Sequence, residues 1–303
     1  MLFAPRSVLL SLSALVLIVF AGSSEAEKDA PAAQAQPFSI QDSVEGDWRS
    51  EANRARDPWR HPSETLTFLG LEPGLTVVEA SPGSGWYTEI IAPYTHRNGG
   101  RFLAAGFPKN DERPYAQRSR QKFQENFADR PDRYGPIVVT ELSGAEGSVA
   151  PADSADLILT FRNVHNWVPA GTAEQIFAEF FRALRPGGVL GVVDHRLPAD
   201  VAEDPRLSTG YIHESTVIQL AERAGFVLEA SSEINQNEAD TANHPFGVWT
   251  LPPTRLTAPF RQDPDPNFDR TPYDAIGESD RFTLRFRKPK SQFPDSPIRV
   301  GPS

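Results

Sequence analysis

The chain predicts an α/β domain in which a doubly wound, mostly parallel sheet of seven strands carries helices on both faces. Three observations point to it. Short β-branched runs alternate with helical stretches, a glycine-rich turn closes the first of those runs, and an Arg-Pro-Gly-Gly stop leads directly into a later one. The length of 303 residues suits one large domain or one domain with an elaborated lobe.

The elements follow in order. Ser63 is placed to cap a short helix reaching Leu69, with Glu64 and Thr65 in its first turn. Residues 76–80 (Thr-Val-Val-Glu-Ala) are a buried-strand run ended by a Pro-Gly loop, and a helix begins over 86–92. Residues 101–105 form a second strand, 112–129 a charged helix, 137–140 a third strand and 157–161 a fourth. Thr172 caps the next helix, with Glu174 in its first turn and Ile176, Phe177, Phe180 and Leu184 on one apolar face. Arg185-Pro186-Gly187-Gly188 stops that helix, because proline cannot continue it and glycine tolerates positive φ. A fifth strand spans 189–193. Glu214 or Ser215 opens a helix that buries Val217, Leu220 and Ala221 and ends at Gly225. Residues 226–228 and 282–286 are the sixth and seventh strands. Between them, 235–279 is proline-rich with little periodicity and reads as an irregular insertion, or lid, before the last strand.

Residues 1–26 read as a signal peptide. Arg6 supplies the positive flank, 8–20 the apolar run, and Ser24-Glu25-Ala26 a cleavage site. As a helix that run reaches roughly 20 Å, short of the about 30 Å of a bilayer core. A periplasmic or secreted domain is therefore expected, with no stable membrane span after cleavage; an uncleaved anchor would leave the domain on the same side. Residues 27–41, rich in Ala, Pro and Gln, read as a disordered linker, 42–290 as the domain, and 291–303 as a tail. The net charge of -10 argues against a nucleic-acid partner. With no cysteine, the chain has no disulfide, thiolate metal site or cysteine nucleophile.

The chemistry-bearing motif is Glu79-Ala80-Ser81-Pro82-Gly83-Ser84-Gly85. Small residues there permit a tight turn and close approach of a ligand, and the helix that follows offers free N–H groups. A dinucleotide-binding fold places its diagnostic acid at the end of the second strand. Here that strand ends Ala104-Ala105-Gly106, and the acid comes before the turn instead, which disfavours a nicotinamide cofactor.

The segment 77–85 resembles the first motif of the class I S-adenosylmethionine-dependent methyltransferases, a superfamily with a Rossmann-like fold. Leu184-Arg185-Pro186-Gly187-Gly188 and Ala224-Gly225-Phe226 resemble two later landmarks of that superfamily, in the same order. Further stretches resemble a group of exported bacterial predicted methyltransferases: Arg60-His61-Pro62, 162–167, Val193-Asp194-His195-Arg196 and 211–215. The resemblance implies S-adenosylmethionine as cofactor. It implies that Glu79 orients the ammonium of the methionine moiety, and that backbone at Ala80, Ser81, Gly83 and Gly85 receives its carboxylate. It places Glu141 near the adenine, with Arg162 and Asn163 lining the cofactor. Two departures stand out. Ser81 occupies the usual first glycine position, tolerable at negative φ, and the acid that holds the ribose is missing after the second strand. Asp111 would replace it only if its loop folds back.

The polar residues gather at strand ends, where open α/β sheets bind ligands. His165 is the preferred general base, His195 the second, and Asp194 stands beside it. His165, His195, His213, Asp194 and Glu214 are suitable metal ligands by type, but none has a local ligand spacing, so no metal site is expected. Three functions remain open: methyl transfer to a small-molecule or cell-envelope acceptor, ligand binding without transfer, and metal-dependent chemistry at the histidine-rich rim. The sequence leaves the oligomeric state undefined.

Overall fold

A computed structural model describes residues 38–290. The expected signal peptide, most of the linker and the C-terminal tail lie outside the described residues. The strands are β1 (Thr76–Ala80), β2 (Arg101–Gly106), β3 (Ile137–Glu141), β4 (Ala155–Phe161), β5 (Leu184–His195), β6 (Val227–Ser232), β7 (Pro245–Val248) and β8 (Arg281–Arg287). Seven of them form one sheet in the order β3-β2-β1-β4-β5-β8-β6, and β7 stands apart. Neighbours from β3 through β5 pair in parallel, whereas β8 lies antiparallel between β5 and β6. The strand order reverses between β1 and β4, the position at which open α/β sheets form a crevice beyond their carboxyl ends.

The principal helices are α1 (Ile40–Val44), α2 (Glu51–Arg54), α3 (Asp57–Arg60), α4 (Pro62–Phe68), α5 (Thr88–Arg97), α6 (Pro114–Phe123), α7 (Pro131–Tyr134), α8 (Val164–Trp167), α9 (Ala173–Ala183), α10 (Glu214–Arg223) and α11 (Thr271–Ile276). Alternation along β1 shows how the two faces are divided. Val78 packs with Ile158, Phe177, Phe180 and Val217, whereas Val77 packs with Leu66, Ile90, Ile91 and Leu157.

Several expectations are corrected. The chain is already helical at Ile40, inside the expected linker, because Ser39 and Asp42 form a reciprocal capping box. The short helix before β1 begins at Pro62 rather than after a Ser63 cap, and Thr172 precedes α9 without a capping bond. The helix after β1 starts at Thr88, since the glycine turn consumes Trp86 and Tyr87. The helix expected over 112–129 begins at Pro114 and loosens into a π-helical turn, Gln124–Ala128. The Arg-Pro-Gly-Gly segment does not separate helix from strand; β5 starts at Leu184 and passes through it, with a register shift against β4. The insertion contains β7 and α11.

Candidate active site

The turn after β1 is held from three sides. Ser81 N–H donates to Ala105 O (2.8 Å), Gly85 N–H donates to Pro82 O (2.9 Å), and Asn163 Nδ2 donates to Ala80 O (3.2 Å). Asn163 Nδ2 also approaches Thr160 Oγ1 at 3.0 Å, tying the turn to the end of β4. Ser81 has φ +52°, outside the negative range in which a serine is readily tolerated, so a residue with a Cβ occupies the left-handed region here. Gly85 sits at φ +80° under the ring of Phe127, where a Cβ would overlap the ring.

A cavity of about 580 Å³ opens beside this turn. Its walls come from the ends of β1 to β4 and their loops: Ser81 and Gly83, Gly106 and Asp111, Leu142, and Asn163 with Asn166. Phe107, Phe123 and Val139 add apolar surface. The volume falls in the range of small-molecule sites. Asp111 has folded back to line it, with Arg113 Nη2 2.5 Å from its Oδ2 holding the carboxyl below its usual range.

The other residues assigned to the cofactor stand elsewhere. Glu79 is 2 % exposed and lies behind the turn, its Oε2 accepting from Thr88 Oγ1 at 2.6 Å. Burial pushes its carboxyl up to about 8, the Thr88 bond opposing the rise. Glu141 accepts from Lys109 N–H at 3.1 Å, bracing the loop after β2, and does not line the cavity. Ala80 is buried, and Gly85 and Arg162 also lie outside the lining.

Arg162 lines a second cavity, of about 190 Å³, with His165, Asn166, His195, Trp249, Glu278 and Ser279. Val248 and residues 252–254 complete it, so the expected lid roofs this cavity. Asn166 lines both cavities. The structure brings the three proposed catalytic residues together here, all of them buried. His165 Nδ1 is 2.7 Å from Asp194 Oδ1, and the His165 and His195 backbone N–H groups donate to the same carboxylate. Asn166 Nδ2 lies 3.1 Å from His165 Nε2. An amide nitrogen only donates, so Nε2 accepts and Nδ1–H donates to Asp194, which fixes the tautomer. His195 Nδ1 meets Ser279 Oγ at 2.6 Å. Burial first, with the charges of Arg162, Arg281 and Arg60 adding to it, holds His195 well below its usual range, so it is neutral at pH 7.

Ligand-type atoms of His165, Asp194 and His195 lie within 4.8 Å of one another. The surrounding arginine charge opposes a divalent cation there. His213 and Glu214 are placed apart from them: His213 Nε2 is 2.9 Å from Val201 O, and Glu214 pairs with Arg196 at 3.5 Å. Sequence reasoning missed Trp249, Glu278 and Ser279 in the insertion. The aromatic Trp249 beside Pro252-Pro253 was the available signal.

No protein-family model and no curated protein matches the chain. Among solved structures it is similar to the [4+2]-cyclase SpnF (13% identity, 81% of this chain and 85% of that one, TM-score 0.50). It is also similar to a SAM-dependent methyltransferase of Aquifex aeolicus (13%, 77% and 93%, TM-score 0.48) and to one of Mesorhizobium loti (17%, 80% and 99%, TM-score 0.43). The chain has a Rossmann-like α/β fold, which it shares with SpnF. Because SpnF is described as a cyclase, the reaction has to be argued from the site.

Proposed function

We propose that the chain is an exported S-adenosylmethionine-dependent methyltransferase that modifies a small molecule or a cell-envelope component. The observation that carries this reading is the meeting of two cavities at Asn166, one fitted for a nucleotide and one holding a buried His-Asp pair. The larger cavity fits the cofactor by its chemistry. Asp111 offers a carboxylate to ribose hydroxyls, Phe107, Val139 and Leu142 offer apolar walls to the adenine, and the backbone at Gly83 faces the amino-acid end. Bound there, the sulfonium supplies an electrophilic methyl group.

The chain's own part is to orient the acceptor and move a proton. Asp194 holds His165 with Nε2 turned to the seam between the cavities, where it takes the proton of an acceptor hydroxyl or amine. Asp111, Phe107, Val139, Leu142 and the Gly83 backbone would hold the cofactor so that the acceptor's lone pair meets the methyl carbon and the carbon–sulfur electron pair stays with sulfur, while His165 takes the acceptor's proton. Orientation within a bound pair contributes roughly 7–11 kcal/mol, and a base adds about 10²–10⁴-fold. Positioning is thus the larger share.

A second reading, binding without transfer, is favoured by one observation: both Glu79 and Glu141 are committed to internal hydrogen bonds. Calorimetry with S-adenosylmethionine tests the cofactor site, with one-site binding expected; no binding overturns both readings. Formation of S-adenosylhomocysteine with envelope extracts separates them, since binding without product supports the second. Export is tested by locating the protein in fractionated cells. No helix among the described residues is long and apolar enough to cross a membrane.

A further inference from the structure

Arg162 lines the smaller cavity, and Glu278 on the same wall gathers three further arginines whose charge it does not balance. Arg56 Nε and Arg60 Nε reach Glu278 at 2.7 and 2.8 Å, and Arg281 Nη1 reaches it at 3.2 Å. One carboxylate therefore serves three guanidinium groups. Its acidity shows the excess: burial would raise the carboxyl, yet Arg60, Arg281, Arg162 and Arg56 bring it down to about 2.

Arg162 is the fourth guanidinium and has no such partner. Among the described residues its side chain makes no hydrogen bond or ion pair, and its buried Nε is unsatisfied. Nη1 and Nη2 of Arg60, fully buried, and Nη2 of Arg56 are unsatisfied as well. Arg162 also has φ +63°, a conformation disfavoured for a residue with a Cβ, and it lies on the wall of the cavity. A guanidinium does not shed its proton in a protein, so one that is half-buried, with its Nε sealed from solvent and no partner, calls for an anion. The chain is otherwise acidic, with net charge -10, which makes this concentration of arginine harder to treat as background.

We propose that the cavity lined by Arg162, His165, His195 and Trp249 seats the acidic group, carboxylate or phosphoryl, of the methyl acceptor, which is therefore a small anion. Arg162 is its direct ligand through a two-pronged contact, as planar guanidinium favours with either oxyanion. Trp249, Val248 and Pro252 cover an apolar stem, and the acceptor's nucleophile points past Asn166 toward the larger cavity. The proposal rests on the methyltransferase reading for the word acceptor, but the anion site is measurable without it.

The test titrates the full chain with inorganic phosphate and, separately, with acetate, reading tryptophan fluorescence and heat, while S-adenosylmethionine affinity is measured in parallel. Saturable binding of at least one anion is expected, weakened at least tenfold by Arg162→Gln, with cofactor affinity within twofold of the parent. Phosphate alone identifies a phosphoryl acceptor and acetate alone a carboxylate one. Trp249→Phe is expected to remove most of the fluorescence response. Absence of saturable binding by the parent chain, undiminished binding by Arg162→Gln, or an undiminished response in Trp249→Phe overturns the proposal. Should Arg162→Gln fail to fold, the parent titration and Trp249→Phe decide alone. Anion binding without cofactor binding sinks the methyltransferase reading and keeps the anion site; the reverse sinks the anion site only.

Discussion

Asn166 donates its side-chain amide to His165 Nε2 at 3.1 Å and, among the described residues, is the one that faces both cavities. The histidine is thus held from both ends, by Asp194 on Nδ1 and by Asn166 on Nε2, and under the proposed function an acceptor would displace the amide to give up its proton. His165→Asn is expected to lower turnover by about 10²–10⁴-fold while leaving S-adenosylmethionine affinity unchanged. Turnover and calorimetry on the same preparation check it. Equal losses in both would assign His165 a structural part instead.

Asp111 is expected to hold the ribose. Asp111→Asn should weaken cofactor affinity on the order of tenfold without altering thermal stability of the ligand-free protein. Unchanged affinity would leave the ribose without an acid.

Glu79 gives a pH dependence of definite sign. Its carboxyl stands at about 8 when folded against 4.5 when free, so the folded state keeps a proton that the unfolded chain loses. Stability from this group is present below pH 4.5 and is lost as pH rises toward 8. The loss amounts to at most about 5 kcal/mol, at about 1.4 kcal/mol per pH unit. Glu79→Gln, keeping the contact to Thr88, should flatten that slope. Denaturant titrations across the range would show parallel curves if the group were ionised throughout.

His195 acts in the opposite direction. Its folded form resists protonation, so stability should fall as pH drops below about 6.5, where the unfolded chain takes up the proton. His195→Gln removes this acid-side loss. A difference curve with no slope below pH 6.5 would contradict the burial of an uncharged ring.

Gly85→Ala should destabilise the fold by about 1–3 kcal/mol, because the added methyl meets the Phe127 ring. Chemical denaturation measures it, and Phe127→Leu in the same chain should recover part of the loss.

Much of this was legible in the sequence where a local rule decides the outcome. The run Thr76–Ala80 is a strand because its β-branched residues precede a Pro-Gly turn, and β1 has those bounds in the structure. His165 follows β4, and Asp194 and His195 end β5, its neighbour in the sheet, so their meeting follows from strand order. The direction in which a side chain turns was not legible in the same way. Glu79 and Glu141 were placed by their strand ends, yet one turns behind the glycine turn to Thr88 and the other to the Lys109 amide. Glu278 and Ser279 sit in an aperiodic segment, and only β8, inserted between β5 and β6, brings them to the site. No local pattern encodes such a return.

The Arg60–Glu278 bond joins residues 218 positions apart. One wall of the smaller cavity therefore cannot be assembled until nearly all of the chain has emerged, whether from a ribosome or from a translocation channel. Long-range closures of this kind come slowly. A partly delivered chain would have its glycine turn in place and yet lack the latch that gathers its arginines, so competence arrives as a final event, not by degrees.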